Sequence, residues 1–151
     1  MTSKPDQRST NVIRLDLPAS LQYLSVLGSC LNDILSQVND LEEQEIVKYD
    51  VQLAVQELCT NIVRHAYQEA KPEERIQATI TLDMHPCRLI VELLDYGKFF
   101  DESLVQEPDL EEGQIHGYGL YIIKNLMDEV TYTRQGERNC WYLLKNLEKA
   151  R

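Results

Sequence analysis

The chain has 151 residues, of which 25 are Asp or Glu and 15 are Lys or Arg, giving a formal net charge of -10. A chain of this length buries roughly 70% of the surface that its unfolded state exposes, enough for one hydrophobic core without disulfides or structural metals. The acidic balance argues against indiscriminate binding to nucleic acid or anionic membranes, because such binding depends on clustered Lys and Arg.

The two ends and the cysteines bear on domain organisation and compartment. Residues 1–10 are polar and predict a flexible tail before a single domain over residues 11–148. The tail lacks the apolar core of a secretory signal, and no apolar stretch approaches the roughly 20 residues that span a bilayer. Scattered cysteines without a CxxC pair are typical of reduced thiols in a cytosolic protein, and here they are Cys30, Cys59, Cys87 and Cys140. These features predict a cytoplasmic protein.

A strand and two helices are predicted first along the chain. Alternating apolar residues over 12–17 predict a half-buried strand. After residues 18–20, apolar side chains recur every three or four positions as far as Val38, which predicts an amphipathic helix. A second helix is predicted over residues 43–68. Its apolar seam consists of Val51, Val55, Leu58 and Ile62.

The second half of the chain predicts four strands and a third helix. Residues 76–82 and 89–94 alternate in polarity and predict a hairpin across His85 and Pro86. A loop-like stretch over residues 95–117 precedes a short helix over 118–127. Two last strands, near 130–133 and 140–147, are joined by a turn at Gly136. This order predicts an α+β two-layer sandwich, a mainly antiparallel mixed sheet with three helices on one face.

The second helix carries a carboxylate and an amide on one stripe. Glu57 and Asn61 are four residues apart, so at about 100° per residue they stack along the helix and border the apolar seam. A carboxylate beside a carboxamide can order a hydrated Mg²⁺ or polarise a hydroxyl group. Taken alone, such a pair is more often a surface glutamate with a neighbouring asparagine.

Two glycine-containing motifs follow. Asp95 comes directly after an apolar strand, where its carboxylate can accept a hydrogen bond from an exocyclic amine, and Gly97 lets the chain pass close to a flat ring. Residues 117–120, GYGL, open the third helix, whose exposed N–H groups favour phosphate. Each motif alone is weak evidence, because Asp-x-Gly is also an ordinary turn.

Together, and in this order, the motifs resemble those of a known family. Residues 57–67, ELCTNIVRHAY, resemble the N box of the GHKL (Bergerat-fold) ATPases, in the version of the bacterial anti-sigma factor serine kinases. The Asp95-x-Gly97 motif resembles the first glycine box of that family, and residues 117–120 resemble the second. The resemblance covers nearly the whole chain and implies the Bergerat ATP-binding fold.

The resemblance also implies roles for these residues. Glu57 would be the general base or water-orienting group for phosphoryl transfer, and Asn61 would coordinate the Mg²⁺ of bound ATP. Asp95 would accept from the adenine amine, with Gly97 beneath the base. Gly117 and Gly119 would flank the phosphates, and residues 106–116 would form a lid. Lys98 could neutralise a phosphate, although a lysine in a loop is more often only solvated. The residues predicted to bind the nucleotide are Asn61, Asp95, Gly97, Lys98, Gly117, Tyr118, Gly119 and Leu120.

The implied activity is that of an anti-sigma factor and serine protein kinase. In such relatives the phosphoryl acceptor is a serine of a small anti-sigma factor antagonist of the STAS type, which competes with a sigma factor for the kinase, and homodimers are common. Lys98, Phe99 and an acidic lid depart from the usual pattern. They leave open a second hypothesis, a nucleotide-binding interaction module without catalysis. A detached histidine kinase catalytic domain and an α+β domain without a nucleotide site are the remaining alternatives.

Overall fold

The helices and strands follow the predicted order in the computed structural model, which describes residues 11–38, 43–66, 73–99 and 119–148. The elements are β1 (Val12–Pro18), a 3-10 turn (Leu21–Tyr23), α1 (Leu24–Ser36), α2 (Gln44–Asn61), β2 (Arg75–Met84), β3 (Cys87–Asp95), α3 (Gly119–Leu126), β4 (Glu129–Gln135) and β5 (Arg138–Asn146). The predicted N-terminal tail, the predicted lid and the last residues of the second predicted helix lie outside the described residues.

The five strands form one sheet in the order β1-β2-β3-β5-β4. Every strand pair described is antiparallel, so the predicted mainly antiparallel sheet is confirmed, and no parallel pair occurs among these strands. The register places Asp95 of β3 opposite Asn139 of β5, and Asn139 in turn opposite Arg134 of β4. Because paired residues point to the same side of a sheet, these three side chains form a row on one face.

The core lies between the three helices and one face of the sheet. The predicted seam of α2 is buried as expected, with relative exposures of 0% for Val51, 2% for Val55, 1% for Leu58 and 3% for Ile62. From the sheet, Val91 and Leu143 enter the same apolar cluster. Burial of each such side chain contributes roughly 1.5–3 kcal/mol, so this two-layer packing accounts for the main stabilisation.

The second helix changes geometry directly after Asn61. The chain passes from α-helix into a wider π-helical turn over Ile62–Ala66. The helix predicted over residues 43–68 is thus helical as far as Ala66 and ends in a π turn, and residues 67–68 lie outside the described residues. Apolar spacing does not distinguish an α turn from a π turn. Single π turns occur frequently at functional sites.

A lysine of the sheet fixes α3 beside α2. Lys145 Nζ donates a hydrogen bond of 2.7 Å to the carbonyl of Leu126, the last residue of α3, and lies 4.0 Å from the Asp50 carboxylate on α2. A cation at this position also interacts favourably with the negative end of the helix dipole. In the part of the chain that the structure describes, no helix combines the length and the apolar character needed to cross a membrane.

Candidate nucleotide-binding site

The carboxylate of Asp95 is fully buried at the end of β3. Its Oδ1 accepts two hydrogen bonds, one of 2.9 Å from the Gly97 backbone N–H and one of 2.8 Å from Asn139 Nδ2. Its Oδ2 is also buried, yet it accepts no hydrogen bond from any residue that the structure describes. A buried polar atom without a partner costs free energy unless a ligand or water supplies one. Oδ2 is therefore an acceptor ready for an N–H donor of a ligand.

The electrostatic surroundings of Asp95 are unfavourable to its charge. Burial raises the pKa of Asp95, and the hydrogen bonds from Asn139 and Gly97 and the charge of Arg134 offset this only in part. Burial, and after it the charge of Asp95, raise the pKa of the Cys59 thiol on α2 to about 12. A buried thiol with so high a pKa stays neutral, so Cys59 belongs to the apolar core and is not a nucleophile.

Three polar side chains that the motifs did not single out surround Asp95. Asn139 is only 2% exposed and joins Asp95 to the loop after it through hydrogen bonds to the carbonyls of Gly97 and Lys98. Arg134 Nη1 and the Tyr132 hydroxyl both donate to Asn139 Oδ1. Asn139 is in phase with the inward-facing residues of β5, and a polar residue in that phase was the available signal.

Asn61 and Gly119 meet at the other end of the candidate site. A Cβ placed on Gly119 would lie 2.7 Å from Asn61 Nδ2 and 3.3 Å from Asn61 Oδ1. The absence of a side chain on Gly119 therefore leaves the space that the Asn61 amide fills. The N box and the second glycine box, 58 positions apart in the sequence, come into direct contact.

The remaining residues that were predicted to take part in the site differ in how deeply they are buried. Glu57 is half-buried on α2, one helical turn before Asn61, as the helical stripe predicted. Leu120 is 4% exposed and belongs to the apolar core, so its side chain stabilises α3. The side chain of Lys98 is exposed to solvent. Gly117 and Tyr118 lie outside the described residues.

A cavity of about 520 Å³ lies between α1 and α2. Gly28, Gln52 and Arg64 are among its lining residues, and it is lined by none of the predicted nucleotide-binding residues that the structure describes. The candidate site is therefore defined by the contacts of Asp95 and Asn61 and not by this cavity.

Substituting Gly119 with alanine is expected to weaken Mg-ATP binding about tenfold, because the new Cβ would displace the Asn61 amide. The loss of one polar contact worth about 1.4 kcal/mol corresponds to that factor. The displaced atom is the far end of a side chain, so stability should change by less than about 1 kcal/mol. Titration calorimetry and urea unfolding measure the two effects.

Gly28→Ala is the matched control, since its Cβ would come no closer than 4.0 Å to the Gln52 side chain. It should leave Mg-ATP affinity unchanged and stabilise α1 by roughly 0.5–1 kcal/mol. Wild-type affinity in the Gly119→Ala variant would contradict the role given to this contact.

The fold and these two contacts define a two-layer α+β domain with a candidate nucleotide-binding site between α2, α3 and the end of β3. The family model of the histidine kinase-like ATPase domain matches residues 17–145, so the chain belongs to this family. The resemblance to the GHKL ATPases is thereby confirmed.

Relatives with similar sequences are serine-protein kinases by name. Serine-protein kinase RsbW of Bacillus subtilis (strain 168) is 32% identical over 136 residues, which cover 82% of this chain and 79% of the relative. The protein of the same name from Staphylococcus epidermidis is 29% identical over 144 residues, covering 85% and 83%. The name of these relatives agrees with the kinase activity that the motifs imply.

Solved structures share the fold. The RsbU and RsbW domains of Rv1364c from Mycobacterium tuberculosis superpose with a TM-score of 0.62 at 15% identity, covering 92% of this chain and 33% of that chain. The histidine kinase domain of the blue-light activated histidine kinase from Erythrobacter litoralis EL346 gives a TM-score of 0.55 at 20% identity, covering 87% and 62%. The chain therefore spans about a third of the first solved chain.

Proposed function

We propose that this protein is an ATP-dependent serine protein kinase and anti-sigma factor, which phosphorylates a small anti-sigma factor antagonist and exchanges it for a sigma factor. The observation that carries the proposal is the buried Oδ2 of Asp95, an acceptor without a partner at a strand end. Membership of the histidine kinase-like ATPase family and similarity to proteins named serine-protein kinase RsbW support it. The proposed domain spans residues 11–148, preceded by a tail.

Asp95 fits the adenine base. Its Oδ1 is occupied by two donors and its Oδ2 has none, so Oδ2 would accept from the exocyclic amine of adenine. Gly97 is buried beside it and brings backbone close to the place of the base. Guanine presents a carbonyl oxygen at the position of that amine, and two acceptors would then face each other. The site therefore favours ATP over GTP.

Asn61 fits a magnesium ion that is shared with phosphates. Mg²⁺ keeps several waters and binds through one or two protein oxygens together with substrate phosphates. The Asn61 amide, which lies against Gly119 where α3 begins, would supply one such oxygen. In this proposal Gly117, Tyr118 and Gly119 lead the backbone past the phosphates, with residues 106–116 as a lid. Lys98, which is exposed, would neutralise phosphate charge.

Glu57 is the proposed general base. When bound, Mg-ATP supplies the γ-phosphoryl group. Glu57 accepts the proton of the acceptor serine hydroxyl as the oxygen–phosphorus bond forms and ADP departs with the electrons of the broken bond. Asn61 and Asp95 hold the nucleotide at opposite ends, and such positioning, together with charge neutralisation, provides most of the catalysis in phosphoryl transfer.

The partners follow from the same proposal. The acceptor is a STAS-type antagonist whose serine becomes phosphorylated, and its unphosphorylated form competes with the sigma factor. The protein would act in the cytoplasm as a homodimer, without contacting nucleic acid itself. A net charge of -10 is consistent with partners that are proteins.

A phosphorylation assay tests the proposal. Wild-type protein, Mg-ATP and each anti-sigma factor antagonist of the host are incubated, and the modified residue is identified by mass spectrometry. Transfer to one serine is expected, and the antagonist with that serine changed to alanine should stay unmodified. Absence of Mg-ATP binding would overturn the proposal as a whole.

A second candidate function, an interaction module without catalysis, is favoured by one observation. Phe99 is 63% exposed directly after Lys98, and its ring packs edge-on against Tyr132 with centroids 6.2 Å apart. An exposed aromatic ring beside a nucleotide site suits contact with a partner protein. Tight Mg-ATP binding without phosphorylation of any antagonist would support this function in place of the first.

A further inference from the structure

The side chain of Asn139 uses every hydrogen-bonding position that it has. The two N–H groups of its Nδ2 donate to three acceptors, one N–H being shared between two of them: Asp95 Oδ1 at 2.8 Å, the Gly97 carbonyl at 3.2 Å and the Lys98 carbonyl at 3.1 Å. Its Oδ1 accepts from Arg134 Nη1 at 2.9 Å and from the Tyr132 hydroxyl. A buried amide with all its donors and acceptors satisfied has one well-defined orientation.

Arg134 determines which way the amide points. A guanidinium group only donates hydrogen bonds, so the atom of Asn139 that faces Arg134 must be the oxygen. The amide nitrogen consequently faces Asp95. Arg134 Nη1 also donates to the Gly97 carbonyl at 3.0 Å, and Arg134 Nε donates to the Gly136 carbonyl at 3.0 Å. One arginine thus connects the β4–β5 turn to the loop that follows Asp95.

This network gives the two carboxylate oxygens of Asp95 different hydrogen-bonding states. Oδ1 is held by Asn139 and by the Gly97 N–H, and Oδ2 is left without a donor among the described residues. We propose that Asn139 is a positioning residue for adenine recognition, held in orientation by Arg134, and that it presents Oδ2 of Asp95 to the adenine amine. The proposal rests on the proposed function, because it requires that Asp95 bind adenine.

Ionisation of Asp95 provides a readout specific to this role. Among the described residues, the ionisable groups that face Asp95 are Arg134 on β4, whose charge lowers the pKa of Asp95, and Cys59 on α2, whose own pKa the charge of Asp95 helps to raise. The Asn139 hydrogen bond also lowers the pKa of Asp95. Without Asn139 the carboxylate would take up a proton at higher pH, and a proton on Oδ2 would remove the acceptor.

The test compares ATP with purine riboside triphosphate, which lacks the 6-amino group. In the wild type, calorimetry should show tighter binding of ATP. The preference for ATP is the dissociation constant of purine riboside triphosphate divided by that of ATP. In Asn139→Ala and Arg134→Gln this ratio should fall about tenfold, which is the effect of losing one charge-assisted hydrogen bond. In Asn139→Ala, ATP affinity should also begin to fall at a higher pH than in the wild type as the solution is acidified.

Two further variants separate this role from a structural one. Arg138→Gln, an exposed arginine on the same hairpin, should leave the ratio unchanged. In an Asp95→Asn background, Asn139→Ala should not lower the ratio further, since both substitutions remove the same contact. Arg134 is half-buried, so Arg134→Gln provides the measurement if Asn139→Ala does not fold.

Two results would overturn the inference. If the wild type prefers ATP and both variants keep that preference and the wild-type pH profile, Asn139 and Arg134 have no positioning role and the proposed function stands. If the wild type binds ATP and purine riboside triphosphate equally, Asp95 does not read the amine. The inference then fails together with the assignment of Asp95.

Discussion

Glu57→Ala is expected to slow phosphoryl transfer to the antagonist by about 10²–10⁴-fold, the usual contribution of a general base. Mg-ATP affinity should stay within about twofold of the wild type, because the proton is accepted during the reaction and the group is not needed to hold the nucleotide. Single-turnover transfer measured by radiolabelled phosphate gives the rate, and calorimetry gives the affinity.

Glu57→Gln and Glu45→Ala are the informative companions to this variant. Glutamine preserves the volume and hydrogen-bonding capacity of Glu57 but accepts no proton, so it should be nearly as slow as alanine. Glu45, an exposed residue of the first turn of the same helix, should be replaceable without loss of rate. Transfer by Glu57→Gln at the wild-type rate would mean that Glu57 only orients water or phosphate.

The apolar part of the fold was readable from the sequence. Val51, Val55 and Leu58 recur at helical spacing, and the structure buries them to 2% exposure or less. Strand alternation likewise predicted the β2–β3 hairpin, whose two strands are neighbours in sequence. Such patterns are local, because a helix or strand must bury one face whatever its partner is. The π turn after Asn61 has no comparable signal.

The polar residues of the candidate site could be predicted from the sequence only incompletely. Asp95 and Gly119 stood out through their motifs, but the role of Asn139 depends on the pairing of β3 with β5, which joins residues 44 positions apart. The phase of Asn139 with the buried Trp141 is a signal that it points inward, but nothing in the sequence identifies its partners. Likewise, Gly119 looked like a phosphate-loop glycine, and only packing of α3 on α2 revealed that it makes room for Asn61.

Asp95→Asn is expected to weaken ATP binding by roughly 100-fold. Oδ1 of the new amide can still accept from Gly97 and Asn139, but an N–H₂ group replaces Oδ2 and would face the adenine amine, donor against donor. Leaving such a buried donor unpaired costs about 3 kcal/mol, which corresponds to that factor. Calorimetric titration with Mg-ATP measures the loss.

The free energy of unfolding of Asp95→Asn should rise relative to that of the wild type, although its ATP affinity falls. The pKa of Asp95 is raised in the folded protein, so folding is favoured at low pH and that advantage is lost as pH rises from the ordinary value of 3.8 through the raised one. Asparagine does not titrate. The unfolding free energy of Asp95→Asn relative to the wild type should therefore grow over that pH range and remain constant above it. Urea unfolding at several pH values without nucleotide follows this difference.

Asp83→Asn is the control that separates the effect on ATP affinity from the effect on stability. Asp83 is also buried, at 7% exposure, but it lies near the hairpin end of β2 and pairs with Arg88 Nε at 2.9 Å. Its substitution should destabilise the fold, because it removes a partner of a part-buried arginine, and should leave ATP affinity unchanged. Loss of stability without loss of ATP affinity in Asp95→Asn would contradict this prediction. Asp95 would then be a structural carboxylate, and the nucleotide would have to bind elsewhere.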